Sequence, residues 1–157
     1  MTWNLVTFAY GGKLYNIYQD YISRLVTTHG LNSFKYSVED IQNTEVYKQN
    51  PDYFVEDNKY GWCAWKPLLL LETMKKLDDG DKIVLCDTED VLHPQLFSYV
   101  DGVMGDDPCL LVMGDPNPQK KTVKRDCFVY MDCDEEAYWD SPQLEAGITF
   151  WRVCDEA

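Results

Sequence analysis

The sequence predicts an α/β fold, a mostly parallel sheet flanked by helices, in a single domain of 157 residues. Three observations lead there. An apolar strand, WNLVTF at Trp3–Phe8, runs into a Gly11-Gly12 turn and then into an amphipathic stretch over residues 14–28. A further helix, opening at Pro67 and stopped at Gly80, delivers the chain to Ile83, Val84 and Leu85. A short unbroken apolar run of that kind suits a strand covered on both faces, as in a parallel sheet. Strand-like segments recur at residues 110–113 and 143–153.

Taken in order, Trp3–Phe8 is the first strand and Ala9, Tyr10, Gly11 and Gly12 form the turn beyond it. Adjacent glycines permit φ > 0 and let a ligand approach the backbone closely, although they serve equally as a plain turn between strand and helix. No G-x-G-x-x-G is present, which disfavours a dehydrogenase. Tyr15, Tyr18, Ile22, Leu25 and Val26 recur at helical spacing, so residues 14–28 are expected to be a helix whose aromatic stripe packs in the core. His29-Gly30 closes it. Residues 34–36 are β-like. Ser37, with Asp40 three positions on, makes an imperfect capping box, and a helix is expected from there to about Lys48. Residues 50–59 are polar, contain Pro51 and read as a loop. Tyr60, Trp62 and Trp65 then crowd around Gly61, and aromatics of this size fill cores or stack on sugar and base faces.

Pro67 suits a first helical turn, where its missing N–H costs nothing, and Lys75 and Lys76 complement the carbonyl end of the dipole. Lys66 does not fit that pattern. A cation at a helix start opposes the dipole unless an anion offsets it, and a phosphate would. Directly after the Ile83 to Leu85 run come Asp87, Glu89 and Asp90. Ligands of open α/β sheets bind beyond the carboxyl ends of the strands. Closely spaced carboxylates there suit a hard divalent cation that shares its coordination with substrate phosphates. Taken alone, D-x-E-D is explained equally well as a solvated acidic loop. His93 is close enough in sequence to join such a metal but, beside Pro94, reads more simply as structural.

Residues 91–100 are expected to form a loop leading into a short helix over residues 95–99, and residues 110–113 a buried strand. GDPNP at residues 114–118 is expected to be a turn-dense loop that cannot be a central strand or helix. Four of the fourteen lysines and arginines, Lys120, Lys121, Lys124 and Arg125, fall within six residues, as a candidate anion clamp or equally as a solvated helix start. Residues 126–131 are expected to be helical. Residues 132–140 are expected to form an acidic, aromatic loop that offers Tyr138 and Trp139 to an acceptor. In the last strand, over residues 143–153, Ala146-Gly147 gives close access to the backbone.

Composition excludes several classes. Hydrophobic residues at 45% and aromatics at 14% specify a globular chain, long enough to bury about two thirds of its unfolded surface. A net charge of −13 and a pI near 4.4 argue against nucleic acid and against anionic membranes. An anionic nucleotide is still compatible, given a divalent cation and a few local lysines or arginines. Apolar runs end at the four leucines Leu68 to Leu71, well short of a membrane span. The six cysteines show no C-x-x-C and no paired zinc spacing. With no signal-peptide pattern over residues 1–12, a reduced, cytoplasmic setting is expected, most thiols serving as small core hydrophobes.

GWCAWKP at residues 61–67, DGDKIVLCDTED at 79–90 and QLEAGITFWR at 143–152 together resemble GT-A-type nucleotide-sugar glycosyltransferases. The similarity is to the short domains of large DNA viruses and bacterial polysaccharide loci. VTFAYGG at residues 6–12 and KRD-F at 124–128 extend it along nearly the whole chain. The resemblance implies a Rossmann-like GT-A sheet. It also implies metal-dependent transfer, of hexosyltransferase type, from a nucleotide-sugar donor, UDP-sugar favoured, to a glycan or other hydroxyl acceptor. Mn²⁺ or Mg²⁺ would be held by Asp87 with Glu89 or Asp90, since the family's D-x-D is D-T-E here. Thr7, Ala9 and Tyr10, with Gly11 beside them, would line the base and ribose, and Lys66, Arg125 and Asp87 would serve the donor's phosphates. An inverting enzyme further needs a carboxylate base near the acceptor, for which Asp140 and Glu145 are the candidates. A retaining enzyme needs neither, and the sequence fits both outcomes. Many relatives continue past the last strand, which implies a minimal or a C-terminally shortened catalytic domain. Two other readings fit the same residues: a nucleotide- or sugar-binding module without turnover, and a sugar-phosphate nucleotidyltransferase. The lack of a Gly-rich basic loop after the first strand weighs against the second.

Overall fold

The computed structural model describes residues 2–155, apart from the side chains of Asn58, Trp62 and Met113. It divides into two compact units, residues 1–110 with 147–157, and residues 111–146. The first contains β1 (Trp3–Phe8), α1 (Lys13–Thr28), β2 (Asn32–Tyr36), α2 (Val38–Gln42), α3 (Glu45–Gln49), α4 (Lys59–Trp62), α5 (Trp65–Met74), β3 (Lys82–Cys86) and α6 (Gln95–Met104). Strands β4 (Cys109–Pro118) and β5 (Pro142–Arg152) have residues in both units, and the second also holds α7 (Arg125–Tyr130) and α8 (Glu136–Trp139). The sheet runs β2-β1-β3-β5-β4. β1 is parallel to β2 and to β3, and β5 is antiparallel to β3. This is the expected α/β architecture, a mixed and mostly parallel sheet with helices.

Strand alternation divides the core of the first unit. Val6 and Phe8 of β1 with Ile83 and Leu85 of β3 join Trp65, Leu68, Leu69 and Leu70 of α5 on one side. Trp3 and Leu5 with Val84 and Cys86 join Ile22 and Val26 of α1 and Phe97 and Val100 of α6 on the other. A strand covered on both faces has no polar side to show, which is why β3 reads as an unbroken apolar run.

The buried polar groups tie elements together. Asn4 Nδ2 donates to the carbonyls of Thr2 and Lys82 (2.9 and 3.0 Å), and Asn4 Oδ1 accepts from Asn32 Nδ2 (2.9 Å), joining β1 to both neighbouring strands. Gln19 Nε2 donates to the carbonyls of Thr7 and Tyr36, fixing α1 over the ends of β1 and β2.

Several elements differ from expectation for identifiable reasons. The helix expected from Ser37 to about Lys48 is two short helices, because Thr44 accepts from Tyr47 N–H (3.2 Å) and starts a new one. The capping box before the break is complete: Ser37 Oγ accepts from Asp40 N–H, and Asp40 Oδ2 accepts from Ser37 N–H (2.7 Å). Ser37→Ala is therefore expected to cost about 1 kcal/mol in chemical denaturation without changing the m-value.

The inward line of α1 is Gln19, Ile22 and Val26, whereas Tyr15 and Tyr18 are each 39% exposed, so the tyrosines are not core packing. α5 begins two residues before Pro67 and ends at Met74 rather than at Gly80. α6 continues to Met104, well beyond residues 95–99. GDPNP belongs to β4, which is an edge strand, where proline is tolerated. For the same reason the first residues of β4 are half-buried rather than buried. Residues 136–139 of the expected acidic loop form α8. All six cysteines are free thiols, but only Cys86 is buried, so core filling does not describe most of them. No helix among the described residues is long and apolar enough to cross a membrane.

Candidate active site

Because β1 and β3 are parallel neighbours, their carboxyl ends open on the same edge of the sheet. Tyr10 lies two residues past β1, and Asp87, Thr88 and Glu89 directly follow β3. The first turn of α5 brings Trp65 and Lys66 to the same place. With Phe8, Tyr15 and Cys63, these side chains line one pocket of about 100 Å³.

Its central contact is an ion pair. Lys66 Nζ lies 2.8 Å from Asp87 Oδ1 and 3.0 Å from Oδ2, with the two side chains 13% and 32% exposed. The anion that offsets this cation at a helix start is thus a carboxylate of the chain itself. The ammonium also sits over the Trp65 ring, 5.3 Å from its centroid. Asp87 is set by its backbone: its N–H donates to Gly147 O (2.8 Å), and its carbonyl accepts from Asp90 N–H (3.2 Å), which turns the chain. Glu89 Oε2 accepts from Thr88 Oγ1 (3.2 Å). Asp90 turns back toward Cys86, whose Sγ lies 3.9 Å from Asp90 Oδ2, and is not among the pocket residues.

Tyr10 stacks on Phe8 (centroids 5.2 Å apart) and lies parallel to Tyr15 (6.2 Å, 2° between planes), with Tyr60 edge-on at 5.3 Å. Burial, and then the nearby charges of Cys63, Tyr15, Asp87 and Glu89, push its phenol above the usual 10.0. Behind it the backbone is strained. Lys59, Tyr60, Gly61 and Cys63 have φ of 53°, 54°, 81° and 74°, a left-handed region that costs a non-glycine residue about 1 kcal/mol or more. Gly61 has a second reason to be glycine, since a Cβ there would stand 2.7 Å from the Tyr53 ring. Gly61→Ala is expected to destabilise by about 1–3 kcal/mol, read as a lower denaturation midpoint.

The sequence-derived donor residues divide in three. Tyr10, Lys66 and Asp87 meet in the pocket. Thr7 is fully buried, its Oγ1 without a hydrogen-bond partner among the described residues, and Ala9 is 5% exposed, so both side chains pack inside rather than line it. Gly11 adopts φ 79° at the exposed turn beside Tyr15.

Arg125, Asp140 and Glu145 belong to the second unit. There Arg125 forks onto Asp134 (3.0–3.2 Å) and lies over Trp139, 4.9 Å from the ring centroid. Asp140 pairs with Lys120 at 2.5 Å, which raises the lysine's pKa, and Lys121 donates to Asn117 Oδ1. Three of the four clustered cations therefore already have acceptors within that unit. Glu145 is exposed on β5, close to Gly114.

Sequence reasoning missed Tyr15 and Cys63. The available signal for Tyr15 was its position one turn before Gln19 on the inward line of α1, where the helix overhangs the end of β1. Cys63 carried none.

No protein-family model matches the chain, and no curated protein matches it. Among solved structures it is similar to a glycosyltransferase involved in the glycosylation of the major capsid of PBCV-1. The identity is 14% and the TM-score 0.46, over 97% of this chain and 60% of that one.

Among the described residues no group of three or more His, Cys, Asp or Glu side chains is arranged to hold a metal. The pocket instead offers two carboxylates, Asp87 and Glu89. That donor set fits the usual mode of Mg²⁺, one or two carboxylates plus substrate phosphates. Asp87 is paired with the Lys66 ammonium at this place.

Tyr10 also makes a pH prediction. Its phenol is held above 10.0 in the folded chain, while the unfolded chain releases that proton near the usual value. Its contribution to stability is therefore complete below that value and lost as pH rises through the folded pKa. Tyr10→Phe is expected to flatten the fall in melting temperature between about pH 9 and 11.

Proposed function

We propose that the pocket receives the diphosphate of a nucleotide-sugar donor, and that the chain is a metal-dependent glycosyltransferase passing the sugar to a hydroxyl acceptor, with UDP-sugars the favoured donors. One observation carries the reading. Lys66, the cation that the sequence marks for a phosphate, and Asp87, the carboxylate it marks for a metal, stand 2.8 Å apart in one pocket beyond the ends of β1 and β3. The pocket sets one ammonium against the carboxylates of Asp87 and Glu89 in a protein of net charge −13, so an anionic donor would need a divalent cation there as well.

Breaking the bond between the anomeric carbon and the diphosphate leaves negative charge on the departing oxygen. Lys66 would donate to that charge. Tyr10, neutral at pH 7, offers a phenol hydroxyl and a ring face. Asp87 and Glu89 would hold Mn²⁺ or Mg²⁺, which when bound supplies Lewis-acid stabilisation of the leaving group. Only part of a donor would enter a pocket of about 100 Å³, and the rest would extend beyond it.

The test is a thermal-shift panel of UDP- and GDP-sugars with and without Mn²⁺, coupled to an assay for released nucleoside diphosphate. A metal-dependent shift with slow release of nucleotide supports the reading. A shift with no release over long incubation identifies a binding module. Consumption of a nucleoside triphosphate with a sugar phosphate identifies a nucleotidyltransferase, and no shift with any donor overturns all three.

A further inference from the structure

We infer that Lys66 and a divalent cation are alternative partners of Asp87, so that the chain's own ammonium closes the cation site until an anionic ligand draws Lys66 away. The anion's identity rests on the donor reading above; the competition for Asp87 does not.

Both oxygens of Asp87 lie within 3.0 Å of one ammonium nitrogen. A Mg²⁺ or Mn²⁺ bound to either oxygen at about 2.1 Å would share that carboxylate with the ammonium, setting two cations against its single negative charge. Glu89 does not relieve the conflict, because it is exposed and adds a single carboxylate. Lys66 in turn cannot simply move out into water. Its side chain is 13% exposed and its ammonium rests over the Trp65 ring, so the pocket is where it can go. A diphosphate entering there takes the ammonium and frees Asp87. Cation and nucleoside diphosphate must then bind with positive coupling, and by linkage each tightens the other by the same factor.

The experiment measures free Mn²⁺ by its paramagnetic resonance signal during titration of the intact chain, the wild type against Lys66→Met, each with and without UDP. Without UDP, Lys66→Met is expected to bind Mn²⁺ about tenfold more tightly than the wild type. UDP is expected to tighten Mn²⁺ binding by a similar factor in the wild type and to add little in the variant. Lys66→Arg, which keeps a cation, should behave as the wild type does. If Lys66→Met fails to unfold cooperatively, Lys66→Gln serves in its place.

The inference is overturned if removing the ammonium leaves Mn²⁺ affinity unchanged or weaker, if neither form binds Mn²⁺, or if Lys66→Arg matches Lys66→Met. Tighter Mn²⁺ binding on Lys66→Met, with no UDP binding to the wild type, sinks the donor reading and keeps this one. UDP binding with unchanged Mn²⁺ affinity does the reverse.

Discussion

Asp87→Asn is expected to abolish the Mn²⁺-dependent response to nucleotide sugars and to lower turnover by about a hundredfold or more, the scale on which removal of a charge-stabilising group at a leaving oxygen is felt. Asparagine keeps the volume and one acceptor oxygen and loses the charge, so the change tests electrostatics rather than shape. It also removes the pair with Lys66. Those side chains are 13% and 32% exposed, between the surface and buried cases, and the cost to stability is about 1–2 kcal/mol. Binding must therefore be compared at a temperature where both proteins are folded. A nucleotide response that survives the substitution intact would remove Asp87 from the donor site and with it the proposed chemistry.

Much of this site was legible in the sequence because each signal was local. The lysine at the start of α5 violated the dipole rule, and the carboxylates followed directly on an unbroken apolar strand; both signals need only near neighbours to be read. Asp87 and Lys66 could be nominated separately, but nothing local said that they pair, since the pairing is made by α5 packing over β3. Thr7 illustrates the opposite failure. A residue near the end of the first strand has the right position in sequence, yet strand alternation turns its side chain into the core, and of this segment Phe8 and Tyr10 reach the pocket. Tyr15 was read by period as core. The period was right for Ile22 and Val26, but a helix longer than the strand beneath it overhangs, and its first turn faces a cleft. GDPNP failed through topology: its prolines do exclude a central strand, and the sheet order that makes β4 an edge is a long-range property that no window of sequence contains.

Phe150→Ala is expected to be the most damaging core substitution, costing about 3–5 kcal/mol in chemical denaturation. Phe150 is 1% exposed on β5, opposite Val84 in the antiparallel register, with its ring edge-on to Trp3 at 5.9 Å. Trp3 in turn leans on Phe97 at 5.4 Å, so the cavity opens between β1, β5 and α6, where packed rings cannot collapse to fill it. Against a typical domain stability of about 5–15 kcal/mol, that is about a fifth of the total or more. The effect should reach the pocket before global unfolding does. Gly147, three residues earlier on β5, supplies the carbonyl that holds Asp87 N–H, and β3 and β5 pair without interruption from Ile148 to Arg152. Hydrogen exchange at the Asp87 amide is therefore expected to quicken in Phe150→Ala at temperatures where the far-UV spectrum is still native. An Asp87 amide as protected as in the wild type would show that the pocket does not depend on how β5 is packed.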